Sequence, residues 1–288
     1  SLTASMPETR ALVAGADVVL ALGTEFGPTD YDFYEDGGFA LPGRLIRVDI
    51  DPAQILRSQT PDLALVGDVE GAVAQLTPLV SPRPPGAGAK RAAAANAGRK
   101  ALPGLMQADL ALLEVVRQTL PQALIVGDST QLVYAGNTGF SAAVPGGYFN
   151  SATGFGTLGY GLPAAIGAAL GAPGRPVVAL VGDGGLQFSL GELASAVEAG
   201  VPVILLLHDN SGYGEIKSYM QSRGIPPLGV DILTPDLAGI ARCCGWKTER
   251  LGAADALAPA LQAAQAQAKP VMLIFGDDLR AQFRPPAG

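Results

Sequence analysis

In the stretch Ala179–Leu190, ALVGDGGLQFSL, an apolar run is followed by a single carboxylate, Asp183, with glycines on both sides. Residues Val177–Val181 are continuously apolar and predict a buried strand. Asp183 follows that strand directly, and Gly184 and Gly185 place no side chains beside it. In open α/β sheets, ligands bind beyond the carboxyl ends of the strands. The position of Asp183 therefore predicts a ligand site.

A second polar turn follows the next predicted strand, Val203–Leu207, and contains Asn210. A helix is predicted to connect the two strands, with Ser189 and Glu192 spaced as a capping box. If the strands are neighbours, Asp183 and Asn210 face one crevice. One carboxylate and one amide oxygen form a partial shell for Mg²⁺, which often takes its remaining oxygens from phosphates and water.

The Gly-Asp-Gly triplet alone also suits a tight turn whose aspartate hydrogen-bonds the backbone. The combination of strand, capped helix, second strand and Asn210 is more specific than the triplet. Glycine also lets backbone N–H groups approach a diphosphate. The sequence therefore predicts that Asp183 holds a magnesium ion that bridges to a diphosphate.

Apolar strands alternate with helices on both sides of a stretch rich in Pro, Ala and Gly. This order predicts part of a Rossmann-like domain over 1–80, a linker over 81–103 and a parallel doubly wound α/β sheet over 104–288. The predicted strands are Asp17–Leu22, Arg44–Asp49, Ala123–Gly127, Val177–Val181, Val203–Leu207 and Val271–Phe275. The predicted helices are Glu8–Ala14, Pro52–Arg57, Val69–Leu76, Leu158–Leu170, Leu190–Ala199, Pro235–Cys243 and Ala254–Ala266.

Composition and net charge indicate which kinds of binding partner are disfavoured for this chain. The chain has 288 residues, 48% of them hydrophobic, and a formal net charge of −7. This charge disfavours nucleic acid and anionic membranes as partners, and no apolar stretch approaches the roughly 20 residues of a membrane span. Cys243 and Cys244 are adjacent in a predicted helix, which predicts buried thiols in a cytoplasmic protein and no disulfide.

The pattern Gly182-Asp183-Gly184 followed by Asn210 resembles the signature of the thiamine diphosphate (ThDP) enzymes of the acetolactate synthase and 2-oxo acid decarboxylase family. The resemblance implies that ThDP and Mg²⁺ are the cofactors. It implies that the side chains of Asp183 and Asn210 and the backbone carbonyl of Gly212 bind the metal.

A second stretch, Gly154–Ala165 (GFGTLGYGLPAA), resembles the family segment that contacts the aminopyrimidine ring. The resemblance implies that the backbone of Gly156 and Leu158 binds this ring and that the Leu158 side chain holds the cofactor in its bent form. The alternative is that Leu158 is an ordinary core leucine at the start of a helix.

Further residues are assigned to the cofactor by resemblance. Ser129 and Thr130, in the turn after a predicted strand, are candidates for contact with the diphosphate. Helix N-capping is an equally good account of these two residues. The remaining cofactor-binding candidates are Gly184, Gly185 and Tyr213.

Residues 16–69 resemble the second half of the family's middle domain, which holds FAD in some members. The first half has no counterpart in this sequence, so FAD is not assigned. The family's pyrimidine-binding domain, whose glutamate reaches the cofactor of a neighbouring subunit, also has no counterpart here. The resemblance therefore implies a C-terminal fragment of a homodimer or homotetramer that is inactive alone and contains no catalytic residue.

The segment after Asn210 is expected to select the small-molecule substrate, a 2-oxo acid. Ile216 and Tyr219 are candidate pocket walls by resemblance. Acetolactate synthases generally carry tryptophan where Tyr219 falls, which argues against acetolactate formation. The segment also resembles 2-oxoarginine decarboxylases, and Glu215 could face a cationic substrate tail, although an exposed helix glutamate is the more ordinary interpretation. His208 is expected to be packed or hydrogen-bonded.

Two functions of other classes stay open. A nucleotide- or flavin-binding module would need a G-x-G-x-x-G loop after a strand, and the sequence has none in that context. A non-catalytic assembly module would keep only the subunit contacts of the family.

Overall fold

A computed structural model describes residues 3–4, 6–27, 40–84, 86–152 and 155–285. The chain divides into two compact units, Ser1–Ala101 and Leu102–Gly288. Gly154, in the segment that resembles the aminopyrimidine contact, lies outside the described residues.

The first unit contains a three-stranded parallel sheet in the order β1-β2-β3. Its elements are α1 (Pro7–Ala14), β1 (Val18–Leu22), β2 (Arg44–Asp49), β3 (Leu63–Val66), α2 (Val69–Leu76) and α3 (Ala87–Asn96), and 3₁₀ turns follow at Thr77–Leu79 and Ala97–Ala101. Helix α3 lies in the stretch that was predicted to be a linker, and it packs against α1. Its run of alanines has high helix propensity, which explains a helix there.

The helix predicted at Pro52–Arg57 is wrong, since these residues form turns. Two aspartates stabilise the turns instead. Asp49 accepts the N–H of Asp51 at 3.0 Å, and Asp51 accepts the N–H of Ala53 at 2.8 Å. Such local side-chain bonds compete with helix formation.

The second unit is a six-stranded parallel sheet in the order β5-β4-β6-β7-β9-β8. Its strands are β4 (Leu124–Gly127), β5 (Tyr148–Asn150), β6 (Val177–Gly182), β7 (Val203–His208), β8 (Lys247–Arg250) and β9 (Val271–Phe275). Its α-helices are α4 (Gly104–Thr119), α5 (Gln131–Gly139), α6 (Gly161–Gly171), α7 (Asp183–Leu186), α8 (Glu192–Glu198), α9 (Gly214–Ser222), α10 (Leu237–Cys243), α11 (Leu257–Gln265) and α12 (Asp277–Ala281). Short 3₁₀ turns lie at Gln187–Ser189 and Ala254–Ala256.

Helices cover both faces of this sheet. Alternate side chains of β6 face opposite ways, because successive residues of a strand point to opposite faces. Val178 and Leu180 join a core with α4, α5, α11 and α12. Val177 and Val181 join a second core with α6, α8 and α10. The predicted parallel doubly wound α/β sheet is confirmed.

The strand order locates a crevice in the sheet. Strand β4 lies between β5 and β6, and α5 leads from β4 towards β5. The chain after β6 leads the other way, to β7. The order therefore reverses between β4 and β6, and ligands of open α/β sheets bind at such a reversal, beyond the carboxyl ends of the strands.

The capping box predicted at Ser189 and Glu192 is wrong. The backbone is already helical at the N-cap residue, Gly191 (φ −59°, ψ −29°), whereas a capping side chain needs an extended N-cap. The Ser189 hydroxyl is buried and has no hydrogen-bond partner among the described residues.

The predicted burial of Cys243 is also wrong, since this residue is exposed. Cys244 is half-buried, and both cysteines are free thiols.

In the part of the chain that the structure describes, every helix is too short or too polar to cross a membrane.

Candidate functional site

Three polar turns meet at the carboxyl edge of the six-stranded sheet, after β4, β6 and β7. In the strand register, Gly127 pairs with Leu180 and Gly182 pairs with His208. The turns after these strands, which begin at Asp128, Asp183 and Asp209, are therefore neighbours. The first and second flank the reversal in strand order.

Asp183 is 1% exposed and is the first residue of α7. Its Oδ2 accepts a hydrogen bond from the Thr234 hydroxyl at 2.7 Å. Its Oδ1 lies 3.1 Å from the side-chain amide of Asn210, and the same amide atom lies 2.9 Å from the Gly212 carbonyl oxygen. The structure thus brings together the three groups that the sequence assigned to the metal.

The orientation of the Asn210 amide decides what these groups can do. With its nitrogen inward, the amide donates to both Asp183 and Gly212. With its oxygen inward, three oxygens converge with separations of 2.9 and 3.1 Å. Adjacent oxygens in an octahedral Mg²⁺ shell, with bonds of about 2.1 Å, lie about 3 Å apart. These two separations therefore fit adjacent ligand positions in a magnesium shell.

Among the described residues, no three His, Cys, Asp or Glu side chains form a group that could hold a metal ion. A metal bound at Asp183 would therefore take other ligands, and phosphate oxygens and water suit Mg²⁺ in that role.

The loop from Gly229 to Thr234 supports the turn after β7. Gly212 pairs with Asp231 in an isolated antiparallel bridge, and Tyr213 N–H donates to the Val230 carbonyl at 2.9 Å. Ser211 adopts φ +58°, which is uncommon for a residue with a side chain. These contacts hold the turn in a conformation that places the Gly212 carbonyl next to the Asn210 side-chain amide.

Close packing leaves little room for side chains at the two glycines after Asp183. A Cβ at Gly184 would lie 2.7 Å from the Tyr213 ring, and a Cβ at Gly185 would lie 3.2 Å from Asp128 Oδ1. The main chain therefore runs close to its neighbours in this turn. Both glycines line the cavity described below.

Asp128 ties the end of β4 to the start of α6. Its buried carboxylate accepts the N–H of Ser129 at 2.7 Å and of Gly161 at 2.9 Å. Burial raises the pKa of Asp128, and the backbone N–H groups that it accepts oppose this shift. Asp128 therefore fixes the segment before α6 relative to the sheet.

An open cavity of about 160 Å³ lies at this edge. All but one of the residues assigned to a site from the sequence line it: Ser129, Thr130, Gly156, Leu158, Asp183, Gly184, Gly185, Asn210, Gly212, Tyr213 and Ile216. The exception is Tyr219, which lies one helical turn beyond Ile216. Its exposed ring contacts Arg223 at 5.3 Å and does not line the cavity.

The structure bears on two alternatives left open above. Thr130 occupies the N-cap position of α5, but its side chain makes no capping hydrogen bond. Leu158 is half-buried and precedes α6, which begins at Gly161, so it is not a core leucine that starts a helix.

One wall of the cavity belongs to a hydrogen-bond network that the sequence did not reveal. Gln131 Nε2 donates to Glu215 Oε2 at 3.4 Å, and Arg280 Nη1 donates to Gln131 Oε1 at 2.9 Å. The Arg280 guanidinium also forms a buried ion pair with Asp109. Burial raises the pKa of Asp109, against the opposing effect of Arg280.

His208 is 2% exposed and lines the cavity at the end of β7. Its ring stacks on Phe275, and its Nε2 lies 3.0 Å from Asp277 Oδ1. Packing and a hydrogen bond therefore hold this imidazole, as expected from the sequence.

Other residues of the site were not assigned from the sequence. Gln131 and Tyr134 line the cavity from α5, and their spacing of three on a helix after the turn could have identified them. Thr234 lies 51 positions after Asp183 along the chain, and no local pattern marks it.

Comparison with protein-family models identifies the class of protein. Residues 127–275 match the model of the C-terminal TPP-binding domain of thiamine pyrophosphate enzymes, and residues 2–76 match the central domain of the same enzymes. The chain therefore belongs to the thiamine pyrophosphate enzyme family. The resemblance inferred from the sequence is confirmed.

Individual proteins of this family are similar to the chain in sequence. The chain is 40% identical over 239 residues to a Pseudomonas aeruginosa protein named "Probable 2-ketoarginine decarboxylase AruI", covering 81% of this chain and 42% of that one. It is 32% identical to the benzoylformate decarboxylase of the same species, with coverage of 94% and 51%. It is 27% identical to the acetolactate synthase large subunit of Pyropia yezoensis, with coverage of 91% and 46%.

A solved structure supports the fold. The 4-hydroxybenzoylformate decarboxylase of Rhodococcus jostii RHA1 superposes with a TM-score of 0.71 at 24% identity, covering 92% of this chain and 50% of that chain. The chain spans about half the length of the relatives that it matches.

Proposed function

We propose that this chain binds ThDP through Mg²⁺ and takes part in the conversion of 2-oxo acids, by decarboxylation, carboligation or both. The observation that carries the proposal is the convergence of the Asp183, Asn210 and Gly212 groups. They meet at the carboxyl edge of β6 and β7 in a TPP-binding domain, next to the reversal in strand order between β4 and β6.

In this proposal, the Asp183 carboxylate, the Asn210 amide oxygen and the Gly212 carbonyl hold Mg²⁺. The backbone of Gly184 and Gly185 and the hydroxyls of Ser129 and Thr130 bind the diphosphate, and Tyr213 packs beside them. Thr234 orients Asp183 by its hydrogen bond, since a carboxylate with one oxygen so engaged presents the other to the metal.

The organic part of the cofactor would lie along the segment before α6. Gly156 and Leu158 line the cavity, and we assign their backbone to the aminopyrimidine ring and the Leu158 side chain to the bend of the cofactor. When bound, ThDP supplies a nucleophilic carbon and an electron sink for the bond to the carboxylate that leaves.

A 2-oxoarginine-type decarboxylase is the second candidate within the family. The relative at 40% identity carries that activity in its name, and Glu215 lines the cavity. The residue at 219 is tyrosine, and acetolactate synthases generally carry tryptophan there, which disfavours acetolactate formation.

We further propose that the catalytic glutamate comes from a pyrimidine-binding domain of a neighbouring subunit, in a cytoplasmic homodimer or homotetramer. The coverage of about half of each relative supports this. No FAD site is assigned. The chain alone is then expected neither to convert a 2-oxo acid nor to bind ThDP tightly.

Product analysis tests the proposal. The protein at its full natural length, with Mg²⁺ and ThDP, is incubated with a panel of 2-oxo acids that have aromatic, aliphatic and cationic side chains. Release of CO₂ with an aldehyde or a ligated product supports it. Failure to convert any 2-oxo acid, together with failure to bind ThDP, would favour an assembly module instead.

A further inference from the structure

The cavity has an acidic wall on the side of α9. Glu215 lies in the first turn of this helix and lines the cavity, and its side chain is exposed there. Among the described residues that line the cavity there is no lysine or arginine. A metal between Asp183 and a diphosphate would engage the Asp183 charge, whereas Glu215 keeps its own.

Among the described residues, the Glu215 carboxylate accepts one side-chain hydrogen bond, from Gln131. Gln131 Nε2 donates to Oε2 at 3.4 Å. No lysine or arginine in the described part of the chain forms an ion pair with Glu215. The carboxylate therefore has capacity to accept further charged hydrogen bonds, since an ionised carboxylate has about four acceptor sites.

A buried ion pair orients the glutamine. Arg280 donates from Nε to Asp109 Oδ1 at 2.6 Å, and its Nη1 donates to Gln131 Oε1 at 2.9 Å. Asp109 and Arg280 are 1% and 4% exposed. Because Gln131 receives a hydrogen bond at its oxygen, its amide nitrogen is directed away from Arg280 and towards Glu215.

An aromatic ring lines the same cavity as this carboxylate. Tyr134 is half-buried and contributes to the cavity wall from α5. Burial raises the pKa of the Tyr134 hydroxyl, and the Glu215 charge raises it further. A cavity lined by a carboxylate and an aromatic ring is a suitable environment for an organic cation.

We propose that Glu215 is a specificity-determining residue that binds the cationic end of a 2-oxo acid side chain, a guanidinium or an ammonium group, and that Gln131 is its positioning residue. The inference rests on the proposed function of the site. A guanidinium group would engage both carboxylate oxygens through two N–H groups, whereas an ammonium group would act as a point charge.

Substrate competition tests this inference. The protein at its full natural length, with Mg²⁺ and ThDP, is assayed with three 2-oxo acids of equal chain length that end in a guanidinium, an ammonium or a methyl group. The wild type is expected to favour a cationic substrate. Substitution Glu215→Gln removes the charge and keeps the shape, so KM for the cationic acids should rise about tenfold, while KM for the methyl-ended acid changes less than twofold.

Two further variants separate specificity from structure. Glu249→Gln makes the same change on the exposed strand β8, away from the cavity, and should leave all three KM values unchanged. Gln131→Met keeps the length of the side chain and removes its hydrogen bonds. It should raise KM for the cationic acids severalfold more than it raises KM for the methyl-ended acid.

Binding gives a readout without turnover. A carboxylic acid with a guanidinium terminus and no 2-oxo group should bind the wild type in calorimetry about tenfold more tightly than it binds Glu215→Gln. Turnover of 2-oxo acids with equal KM values in wild type and Glu215→Gln would overturn this inference and leave the proposed function standing. Absence of turnover with every acid would overturn both.

Discussion

Gly184 shows how a single residue constrains the site. A Cβ at this position would lie 2.7 Å from Cε1 and 2.9 Å from Cδ1 of the Tyr213 ring. Both distances are shorter than real Cβ contacts, so the ring would have to move. The absence of a side chain at 184 therefore serves packing, in addition to the approach to a diphosphate that we propose.

Substitution Gly184→Ala is expected to destabilise the fold by about 1–3 kcal/mol, as insertions into packed sites do. Gly167→Ala is the matched control, because Gly167 lies in α6 with open space at its Cβ position. Alanine there should stabilise the fold by about 0.5–1 kcal/mol through helix propensity. Urea denaturation measures both changes, and equal changes at the two positions would contradict the packing argument.

Asp277 gives a pH-dependent contribution to stability. The hydrogen bond from His208 lowers the pKa of Asp277 below its ordinary value of 3.8. A carboxyl group whose pKa is lowered by folding stabilises the folded state above its ordinary pKa, and this contribution is lost as the pH falls through the lowered value.

Substitution Asp277→Asn should therefore lower the free energy of unfolding at pH 6, and the difference from wild type should shrink as the pH falls below 3.8. Denaturant titrations across this range measure the difference. Asp278→Asn removes the neighbouring exposed carboxyl group as a control. A wild-type-to-variant difference that grows in acid would refute the assignment.

At the scale of elements, a buried ion pair joins α4 to α12. Asp109 and Arg280 are both buried and form an ion pair, and Arg280 Nη1 also lies 3.6 Å from Oδ1 of the exposed Asp277. Loss of the Asp109 charge leaves the buried guanidinium with only this longer contact, which is destabilising, whereas replacement of both buried partners by apolar residues often is not.

We therefore expect Asp109→Asn to destabilise the protein by about 3–5 kcal/mol. The double variant with Asp109→Leu and Arg280→Met should recover most of this loss. Both are compared with wild type in urea denaturation. If the double variant is no more stable than Asp109→Asn, the cost does not come from the unpaired charge.

Strands of the second unit differ in how well the sequence predicts them. The buried strands β6, β7 and β9 are continuous apolar runs, and their positions were predicted within one residue. The edge strands β5 (YFN) and β8 (KTER) are short, and β8 is polar. Their pairing with β4 and β9 depends on tertiary context, which a local pattern does not contain.

At the scale of the whole molecule, the fold class and most of the lining of the candidate site were predictable. Asp183 and Asn210 follow strands that pair side by side, so strand-end logic and the family resemblance placed them together. Thr234 bonds Asp183, and Arg280 with Asp109 supports the site through Gln131, at contacts separated by up to 171 positions along the chain. Such partners follow from packing and leave no local signal.

The most direct test of the account is the binding of Mg²⁺ and ThDP, measured by calorimetry on the protein at its full natural length. We expect ThDP to bind only when Mg²⁺ is present, and Asp183→Ala to weaken ThDP binding by at least about 100-fold. Asp255→Ala, an exposed aspartate on a 3₁₀ turn, should bind as wild type does. Equal affinity of Asp183→Ala and wild type for ThDP would contradict the assignment of the metal site.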